Sequence, residues 1–432
     1  MTQRIVRGRI LTFRDDPRLA GARAWRLIEN GAVAIKDGLI AAVGEARDLL
    51  ARAPEGEAID DHSGKLVLPG LIDAHIHYPQ TRVIGSYGAQ LLDWLNKYTF
   101  VEEQKFADPA HSAAVARFFL DELFRQGTTT ACVYCTVHPQ SVDAFFAEAE
   151  ARGARMIAGK TMMDRNAPPG LMDTAERGYD ETNALIARWR GRGRLDYAIT
   201  PRFAVTSTEA QLEASGALAR EHRDAYVQTH LDENFAEIAF VKRQFPWAKT
   251  YLDVYARYGL LGPRSIFGHC IHLAESEIAA LASSGSIAAF CPTSNLFLGS
   301  GLFDKQRLDK AGVRVALATD VGGGTNYSML ATAAEGYKVL QMGGQSWPAT
   351  QAFYQMTLGN ARALSLQDRV GAIEPGREAD LVVLDSHATP AMAHRMESHE
   401  GDLEEELFVL MTMGDDRTVR ETYVAGRAAK GG

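Results

Sequence analysis

Short apolar runs alternate with helical segments through the middle of the chain, and this alternation constrains the fold most strongly. Eight such runs occur between residues 68 and 320. They span residues 68–77, 128–135, 155–162, 196–203, 225–230, 265–269, 286–292 and 313–320. Eight strands, each followed by a helix, are typical of an α/β protein of the (β/α)8 TIM-type barrel class, whose core takes about 250 residues.

An open, doubly wound sheet is the competing architecture for alternating strands and helices. A dinucleotide-binding sheet of that kind would carry a Gly-x-Gly-x-x-Gly turn after its first strand. This chain instead has Asp73-Ala74-His75-Ile76-His77 at that place. We therefore predict the barrel, over residues 69–371.

The length of the chain requires a second structural unit, because one hydrophobic core usually stops growing at roughly 250 to 300 residues and this chain has 432. Residues 1–68 read as short strands, with Asp37-Gly38 as a hairpin turn. The last stretch has a similar pattern, with an apolar run over 379–385 and alternation over 419–430. We predict that 1–68 plus 372–432 form one small β-sandwich domain, built from both chain termini.

The composition argues against several classes of partner. The chain has 46 Lys and Arg against 54 Asp and Glu, so it lacks the basic field that nucleic acid binding needs. The basic run 188–194 is best read as a helix end with cations in its last turn. No signal peptide, no apolar stretch of membrane-spanning length and only four cysteines are present. We expect a cytoplasmic protein without nucleic acid or membrane partners.

Histidines recur where the predicted strands end. In a barrel, functional groups lie at the C-terminal ends of the strands. The first run ends in His75 and His77, which an extended strand points to the same side, the fifth in His230, the sixth in His269 and the eighth in Asp320. Four imidazoles and a carboxylate are ligands that Zn²⁺ or Fe²⁺ favours. The pattern therefore predicts a metal centre at the barrel mouth.

Glu233, three residues after His230, admits two interpretations. It could carry protons for the metal centre, or it could compensate the dipole of a helix that starts just beyond it. From spacing alone, both interpretations stay open.

Several other motifs are better explained structurally. Cys132 and Cys135 form a C-x-x-C inside a strand-like run with no second pair, which favours buried thiols over a metal or redox site. Lys160 lies in the third run and reads as structural or rim-polar, and His138, just past a strand end, stays unassigned. The glycines at 322–324 lack the Lys-Ser/Thr of a phosphate loop and read as a close-approach turn.

Nearly the whole chain resembles the amidohydrolase superfamily. The resemblance is carried by residues 69–77 (PGLIDAHIH), the later single histidines, Thr319-Asp320 and residues 371–384 (GAIEPGREADLVVL). Within the superfamily, five segments resemble the guanine deaminase family: 92–100 (LDWLNKYTF), 127–132 (GTTTAC), 200–203 (TPRF), 230–234 (HLDEN) and 291–295 (CPTSN).

The resemblance implies one zinc per subunit, with Fe²⁺ as the alternative, held by His75, His77, His230 and Asp320. It places His269 beside the metal-bound water and the substrate. Asp320 would take a proton from that water, and Glu233 would protonate a ring nitrogen and then the leaving amine. The catalytic residues implied are therefore Glu233, His269 and Asp320.

The family also implies the substrate and its contacts. Arg202 would read O6 and N7 of guanine, Gln80 the N2/N3 edge, and Phe203 would stack on the ring, with His269 alongside. The implied reaction is the hydrolysis of guanine to xanthine and ammonia in purine catabolism, carried out by a cytoplasmic homodimer.

Two absences narrow the chemistry. Binuclear members of the superfamily carry a carboxylated lysine at the end of strand four, where this chain has Pro201-Arg202-Phe203, so one metal is expected. The H-x-E and P-C-x-x-C signature of the cytidine deaminase type is missing. Two alternatives stay open: an amidohydrolase for another aminopurine, a pterin or a triazine, and a catalytically silent barrel that serves in binding or assembly.

Overall fold

The computed structural model describes residues 3–54, 56–88 and 90–431. Its strands, numbered along the chain, are β1 (Gln3–Phe13), β2 (Trp25–Lys36), β3 (Leu39–Glu45), β4 (Ala58–Pro69), β5 (Leu71–His77), β6 (Thr128–Tyr134), β7 (Arg155–Gly159), β8 (Thr161–Met162), β9 (Asp196–Pro201), β10 (Tyr226–Leu231), β11 (Ser265–His269), β12 (Ile287–Phe290), β13 (Arg314–Leu317), β14 (Leu381–Leu384), β15 (Val419–Val424) and β16 (Arg427–Ala428).

The α-helices are α1 (Pro17–Ala20), α2 (Ala46–Leu50), α3 (Leu91–Trp94), α4 (Phe100–Glu103), α5 (Pro109–Arg125), α6 (Pro139–Ala151), α7 (Ala175–Trp189), α8 (Glu209–Glu221), α9 (Phe235–Gln244), α10 (Tyr251–Arg257), α11 (Glu275–Ser284), α12 (Pro292–Phe297), α13 (Lys305–Ala311), α14 (Met329–Met342), α15 (Ala349–Tyr354), α16 (Asn360–Ala363), α17 (Pro390–Met396) and α18 (Leu403–Met413). Short 3-10 segments span Gly21–Ala24, Tyr78–Val83, Gln104–Ala107, Pro169–Leu171 and Ala204–Thr206, and π-helical turns span Leu95–Thr99 and Gln355–Gly359.

The larger sheet is the predicted barrel. Its strands pair in parallel in the order β5-β6-β7-β9-β10-β11-β12-β13, with β8 beside β9. Each of the eight predicted runs overlaps one of these strands. The strands are buried along almost their whole length, because helices cover the outside and side chains fill the inside. The prediction of a (β/α)8 barrel is therefore confirmed.

Two backbone hydrogen bonds close the ring just beyond the end of β13. The Asp320 amide donates to the His75 carbonyl at 2.9 Å, and the His77 amide donates to the Val321 carbonyl at 2.8 Å. Three of the predicted site residues, His75, His77 and Asp320, thus lie at the closure of the barrel.

The longest helix, α5, begins at a residue that caps it. At α5, Pro109 occupies the first turn and the Asp108 carboxylate accepts from the Ala110 amide. One face of α5 then buries Phe119, Leu120 and other apolar residues against the barrel.

The two ends of the chain build a second sheet of seven strands, in the order β16-β15-β14-β4-β1-β2-β3. β1 pairs antiparallel with β2 and parallel with β4, and β14 from the C-terminal segment pairs antiparallel with β4. Strands from both termini therefore share one sheet, which confirms the prediction that the termini form one small β unit. β4 ends at Pro69 and the first barrel strand begins at Leu71, so the passage between the sheets is one residue long. The residue bounds of the two domains stay a prediction.

A network of ion pairs joins the start of two barrel strands to the segment before β14. Arg155 Nε lies 2.6 Å from Glu378 Oε2, and Arg194 Nη2 lies 2.8 Å from the same oxygen. Arg194 also pairs with Asp380, and all four side chains are largely buried. We call this group the seam cluster.

The other arginines of the basic run are also paired with carboxylates: Arg188 with Asp143, Arg190 with Asp196 and Arg192 with Glu150. Across the described ranges, no helix combines the length and the apolar character that crossing a bilayer would require.

Candidate active site

The structure brings the predicted strand-end residues together at one side of the barrel. His75 and His77 lie in β5, His230 lies in β10, His269 ends β11, and Asp320 follows β13. All five are buried, and with the exception of His75 they line one pocket of about 380 Å³.

The nitrogen and oxygen atoms of these side chains converge on one region. His75 Nε2 and His77 Nε2 are 3.2 Å apart, and they lie 3.2 and 3.3 Å from Asp320 Oδ1. The possible ligand atoms of His75, His230, His269 and Asp320 also lie within 4.8 Å of one another. Three ligands are common to this set and to the predicted one, and the two sets differ in His77 against His269.

The electrostatics of the cluster suit a cation. Burial lowers the pKa of His77 to about 3 and that of His230 well below its usual value, so both imidazoles are neutral. Burial opposes ionisation of Asp320, but hydrogen bonds from His75 and His77 outweigh it and hold the pKa of Asp320 well below its usual range. Neutral imidazoles and an ionised carboxylate are the protonation states that bind a divalent metal. The donor set therefore fits a zinc or iron ion.

Two histidines are oriented by partners outside the cluster. The Arg202 carbonyl lies 2.7 Å from His230 Nδ1, and Asn295 Oδ1 lies 2.9 Å from His269 Nδ1. Each oxygen requires a proton on the nitrogen it faces, so the Nε2 lone pair of each ring is left for the site.

The backbone at the strand ends is unusual. His269 and Asp320 both have positive φ, at 71° and 51°, a conformation that residues with a side chain rarely adopt. Asp73, buried beneath them, accepts hydrogen bonds from the amides of His75 and Thr319 at 3.2 and 3.1 Å. These contacts hold the turns in which the candidate ligands sit.

Glu233 faces the cluster rather than the helix after it. Its Oε2 lies 3.3 Å from His269 Nε2, and its Oε1 accepts from Ser300 Oγ at 3.1 Å. Burial and the charge of Asp320 raise the pKa of Glu233 to about 8. A carboxyl that keeps its proton near neutral pH can act as a proton donor.

The start of α9 is capped by other residues. Asn234 is the N-cap, and the Glu237 carboxylate accepts from the Glu233 and Asn234 amides at 3.1 and 3.3 Å. The helix therefore does not need Glu233 for its dipole, which removes the structural interpretation of that residue.

The predicted substrate residues line the rest of the pocket. Arg202 and Phe203 follow β9, Gln80 follows β5, and all three are buried. Apolar walls complete it, formed by Leu91, Trp94, Leu95 and Leu298. A pocket that combines apolar and aromatic walls with fixed polar groups is suited to a heteroaromatic ring.

Sequence reasoning missed three residues that hold others in place: Glu103, Asn295 and Ser300. Asn295 lies within 291–295, one of the segments that resemble the guanine deaminase family. The resemblance therefore pointed to this position but not to its contact with His269. Glu103 lies among the short helical segments between β5 and α5, and Ser300 lies in the loop between α12 and α13. Neither residue belongs to a motif that the sequence analysis used.

The remaining motifs are structural. Cys132 and Cys135 are buried free thiols whose pKa is raised by burial, and Lys160 forms a buried ion pair with Asp173. The glycine turn is confirmed as a close approach, since a Cβ at Gly322 would lie 2.6 Å from the Gln80 carbonyl oxygen and one at Gly324 only 1.8 Å from that of Thr319.

Comparison with known proteins agrees with the fold and identifies the family. The amidohydrolase family profile matches residues 66–429. A guanine deaminase of Escherichia coli K12 is 49% identical over 94% of this chain and 92% of its own length. The E. coli guanine deaminase structure superposes with a TM-score of 0.96 at 48% identity, covering 98% of this chain and 99% of that one. Guanine deaminase from C. acetobutylicum with bound guanine gives 0.87 at 27% identity, covering 99% of both.

The chain therefore belongs to the amidohydrolase family. Its similarity to guanine deaminases extends beyond bacteria: a guanine deaminase of Rattus norvegicus is 34% identical over 83% of this chain and 82% of its own length.

Proposed function

We propose that this chain is a metal-dependent guanine deaminase, a hydrolase that converts guanine and water to xanthine and ammonia. One observation carries the proposal: a single pocket brings together a cation-binding donor set, the Glu233 carboxyl 3.3 Å from His269, and the polar pair Arg202 and Gln80. The identity to guanine deaminases over nearly the whole chain supports it.

The metal we propose is one zinc ion, held by His75, His77, His230 and Asp320, with iron as the alternative. When bound, it would supply Lewis acidity that lowers the pKa of a water molecule toward ~7, so that a nucleophile is available at neutral pH. The side-chain oxygens of Asp320 lie close to the three nearest imidazoles, so Asp320 is the base we assign to take a proton from the attacking water.

Glu233 carries protons to the substrate. Burial and the charge of Asp320 raise its pKa and so favour the protonated form, which would donate to the ring nitrogen next to C2 as water attacks that carbon. The ionised Glu233 would then take up the proton of the C2 hydroxyl and pass it to the amine as the C2–N2 bond breaks, and return of the proton held by Asp320 to Glu233 would restore both carboxyls. His269 Nε2, 3.3 Å from Glu233 Oε2, would accept a hydrogen bond from this carboxyl and so orient it beside the substrate.

Arg202, Gln80 and Phe203 are the residues that we assign to recognition of the purine. The Arg202 guanidinium offers donors for O6 and N7, Gln80 offers a donor and an acceptor for the N2/N3 edge, and Phe203 offers an aromatic face. Arg202 also links recognition to chemistry, because its carbonyl orients His230.

Function as a homodimer in cytoplasmic purine catabolism is part of the same proposal. It rests on the family resemblance. Light scattering during size-exclusion chromatography measures the subunit number directly.

Metal analysis combined with an ammonia-release screen tests the proposal. The protein is reconstituted with zinc or with iron and assayed on guanine, other aminopurines, pterins and triazines. We expect about one metal per chain and a kcat/KM for guanine well above that for the other compounds. Conversion of another heterocycle in place of guanine would favour the broader amidohydrolase alternative. Absence of both metal and hydrolysis would favour a silent barrel.

A further inference from the structure

Glu103 contacts the pocket residues Arg202 and Gln80 but does not itself line the pocket. It ends α4, in the excursion between β5 and α5 that also supplies Leu91, Trp94 and Leu95 to the pocket. Its side chain is 1% exposed. A carboxylate is rarely buried so completely unless it is paired, so its partners indicate its purpose.

Both partners of Glu103 are residues that line the pocket. Arg202 Nη1 lies 2.9 Å from Glu103 Oε1 and 2.7 Å from Oε2. Gln80 Nε2 donates to Glu103 Oε1 at 3.0 Å. One carboxylate thus holds the guanidinium after the fourth barrel strand and the amide after the first.

The geometry of these bonds decides what the two side chains present to a ligand. Glu103 accepts hydrogen bonds from only one nitrogen of Arg202, Nη1. The N–H groups of Nε and Nη2 can therefore donate to other acceptors. The Phe100 ring, 5.4 Å from the guanidinium carbon, supports its plane. Gln80 is fixed at both ends, because its Oε1 accepts from the Gly322 amide at 3.1 Å while its Nε2 faces Glu103.

We propose that Glu103 is a positioning residue for purine recognition: it fixes the direction of the Arg202 and Gln80 hydrogen bonds and so confers the preference for a 6-oxo purine. This inference rests on the proposed function and goes beyond it, since it assigns specificity to a residue that does not reach the substrate. The carboxylate also balances the Arg202 charge, which suits a neutral ligand.

The variant Glu103→Gln tests the inference, because it keeps the size of the side chain and removes its charge. We expect the KM for guanine to rise by about tenfold to hundredfold, the loss that follows when a recognition group is displaced. The kcat should change by less than about threefold and the metal content should not change.

2-Aminopurine separates positioning from general damage, since it carries the amine at C2 and has hydrogen in place of oxygen at C6. Its inhibition constant against guanine turnover should rise clearly less than the KM for guanine in Glu103→Gln, because it shares the N7 and N2/N3 contacts but makes no O6 contact. An equal rise in both constants would mean that the pocket as a whole is disturbed, and unchanged constants would mean that Glu103 positions nothing. Either result overturns the inference.

Two further variants complete the design. Glu102→Gln is the matched control: Glu102 lies on the same helix and its side chain is 8% exposed, but it pairs with Lys105, away from the pocket. It should leave both constants unchanged. If Glu103→Gln fails to fold, Glu103→Asp keeps the charge with a shorter reach and should raise the KM for guanine in the same direction. The proposed function is judged separately, by the unmodified protein alone: if that protein does not convert guanine, the proposal fails and the inference falls with it.

Discussion

At the scale of single residues, three of the side chains that we assign to the site are held by neighbours that do not react. The Arg202 carbonyl orients His230, Asn295 orients His269, and Ser300 donates to Glu233. Such partners fix which nitrogen of an imidazole is free and where a carboxyl points, so their loss should reduce turnover without removing the reacting groups.

Replacement of Glu233 by Gln should separate proton transfer from metal binding. The amide keeps the shape of the side chain but cannot carry the proton, so we expect kcat to fall by about 10²- to 10⁴-fold. Metal content, measured by plasma mass spectrometry, should stay at the level of the unmodified protein. Loss of the metal in this variant would contradict the roles given to Glu233 and the histidines.

Replacement of Asn295 by Ala should remove the acceptor that fixes the His269 ring. We expect activity to fall by about tenfold to hundredfold, with the metal retained. Asn295→Asp keeps an oxygen acceptor at the same place and should recover most of the activity. Steady-state assays of the two variants measure the difference, and equal losses in both would show that the contact with His269 does not matter.

The sequence could predict the candidate ligands because they occupy strand ends, where the topology of a barrel brings distant residues together. Glu103 could not be found in this way. It lies among short helical pieces in an excursion, and only the packing of that excursion on the barrel turns it toward Arg202.

At the scale of elements, the eight barrel strands were predictable because their apolar runs are continuous and bounded by polar turns. The small sheet was harder: β4 (Ala58–Pro69) carries polar residues along most of its length and has no apolar run before Leu66. It is a strand because β1 pairs with one of its edges and β14 with the other. β14 lies more than 300 residues after β4 in the sequence.

The glycine turn after β13 gives a prediction at this scale. A Cβ at Gly324 would lie 1.8 Å from the Thr319 carbonyl oxygen, so Gly324→Ala must displace the turn that carries Asp320. We expect a loss of stability of at least about 1–3 kcal/mol, together with weaker metal binding. Thermal unfolding and metal titration measure both. Gly44→Ala is the control, because nothing lies within 4 Å of a Cβ there, and a similar loss in that variant would contradict the argument.

At the scale of the whole molecule, the barrel and the terminal sheet are joined by the seam cluster of Arg155, Arg194, Glu378 and Asp380. These residues come from the barrel and from the segment before β14, so the pairing exists only when both units are folded. Burial opposes ionisation of Glu378, but the bonds from Arg155 and Arg194 outweigh it and lower the pKa of Glu378 below its usual value.

Glu378→Gln should therefore destabilise the protein in a pH-dependent way. The loss should be about 3 kcal/mol near pH 7, because two buried cations lose a charged partner. A lowered pKa in the folded state stabilises the protein above the unfolded pKa of about 4.3, and this contribution is lost as the pH falls through the folded pKa. The difference in Tm between the two proteins should then shrink below about pH 4. A constant difference from pH 7 to pH 3 would contradict the assignment.

The bonds that close the barrel have a consequence for synthesis. Asp320 and His75 complete the ring with their own backbones, and the supporting bond from the Thr319 amide to Asp73 spans 246 residues. No N-terminal fragment that stops short of this point can hold the candidate ligand set, however well its first strands have formed. During translation the chain therefore stays unable to capture its ion until most of it has left the ribosome, and uptake of the ion becomes a marker of a finished ring.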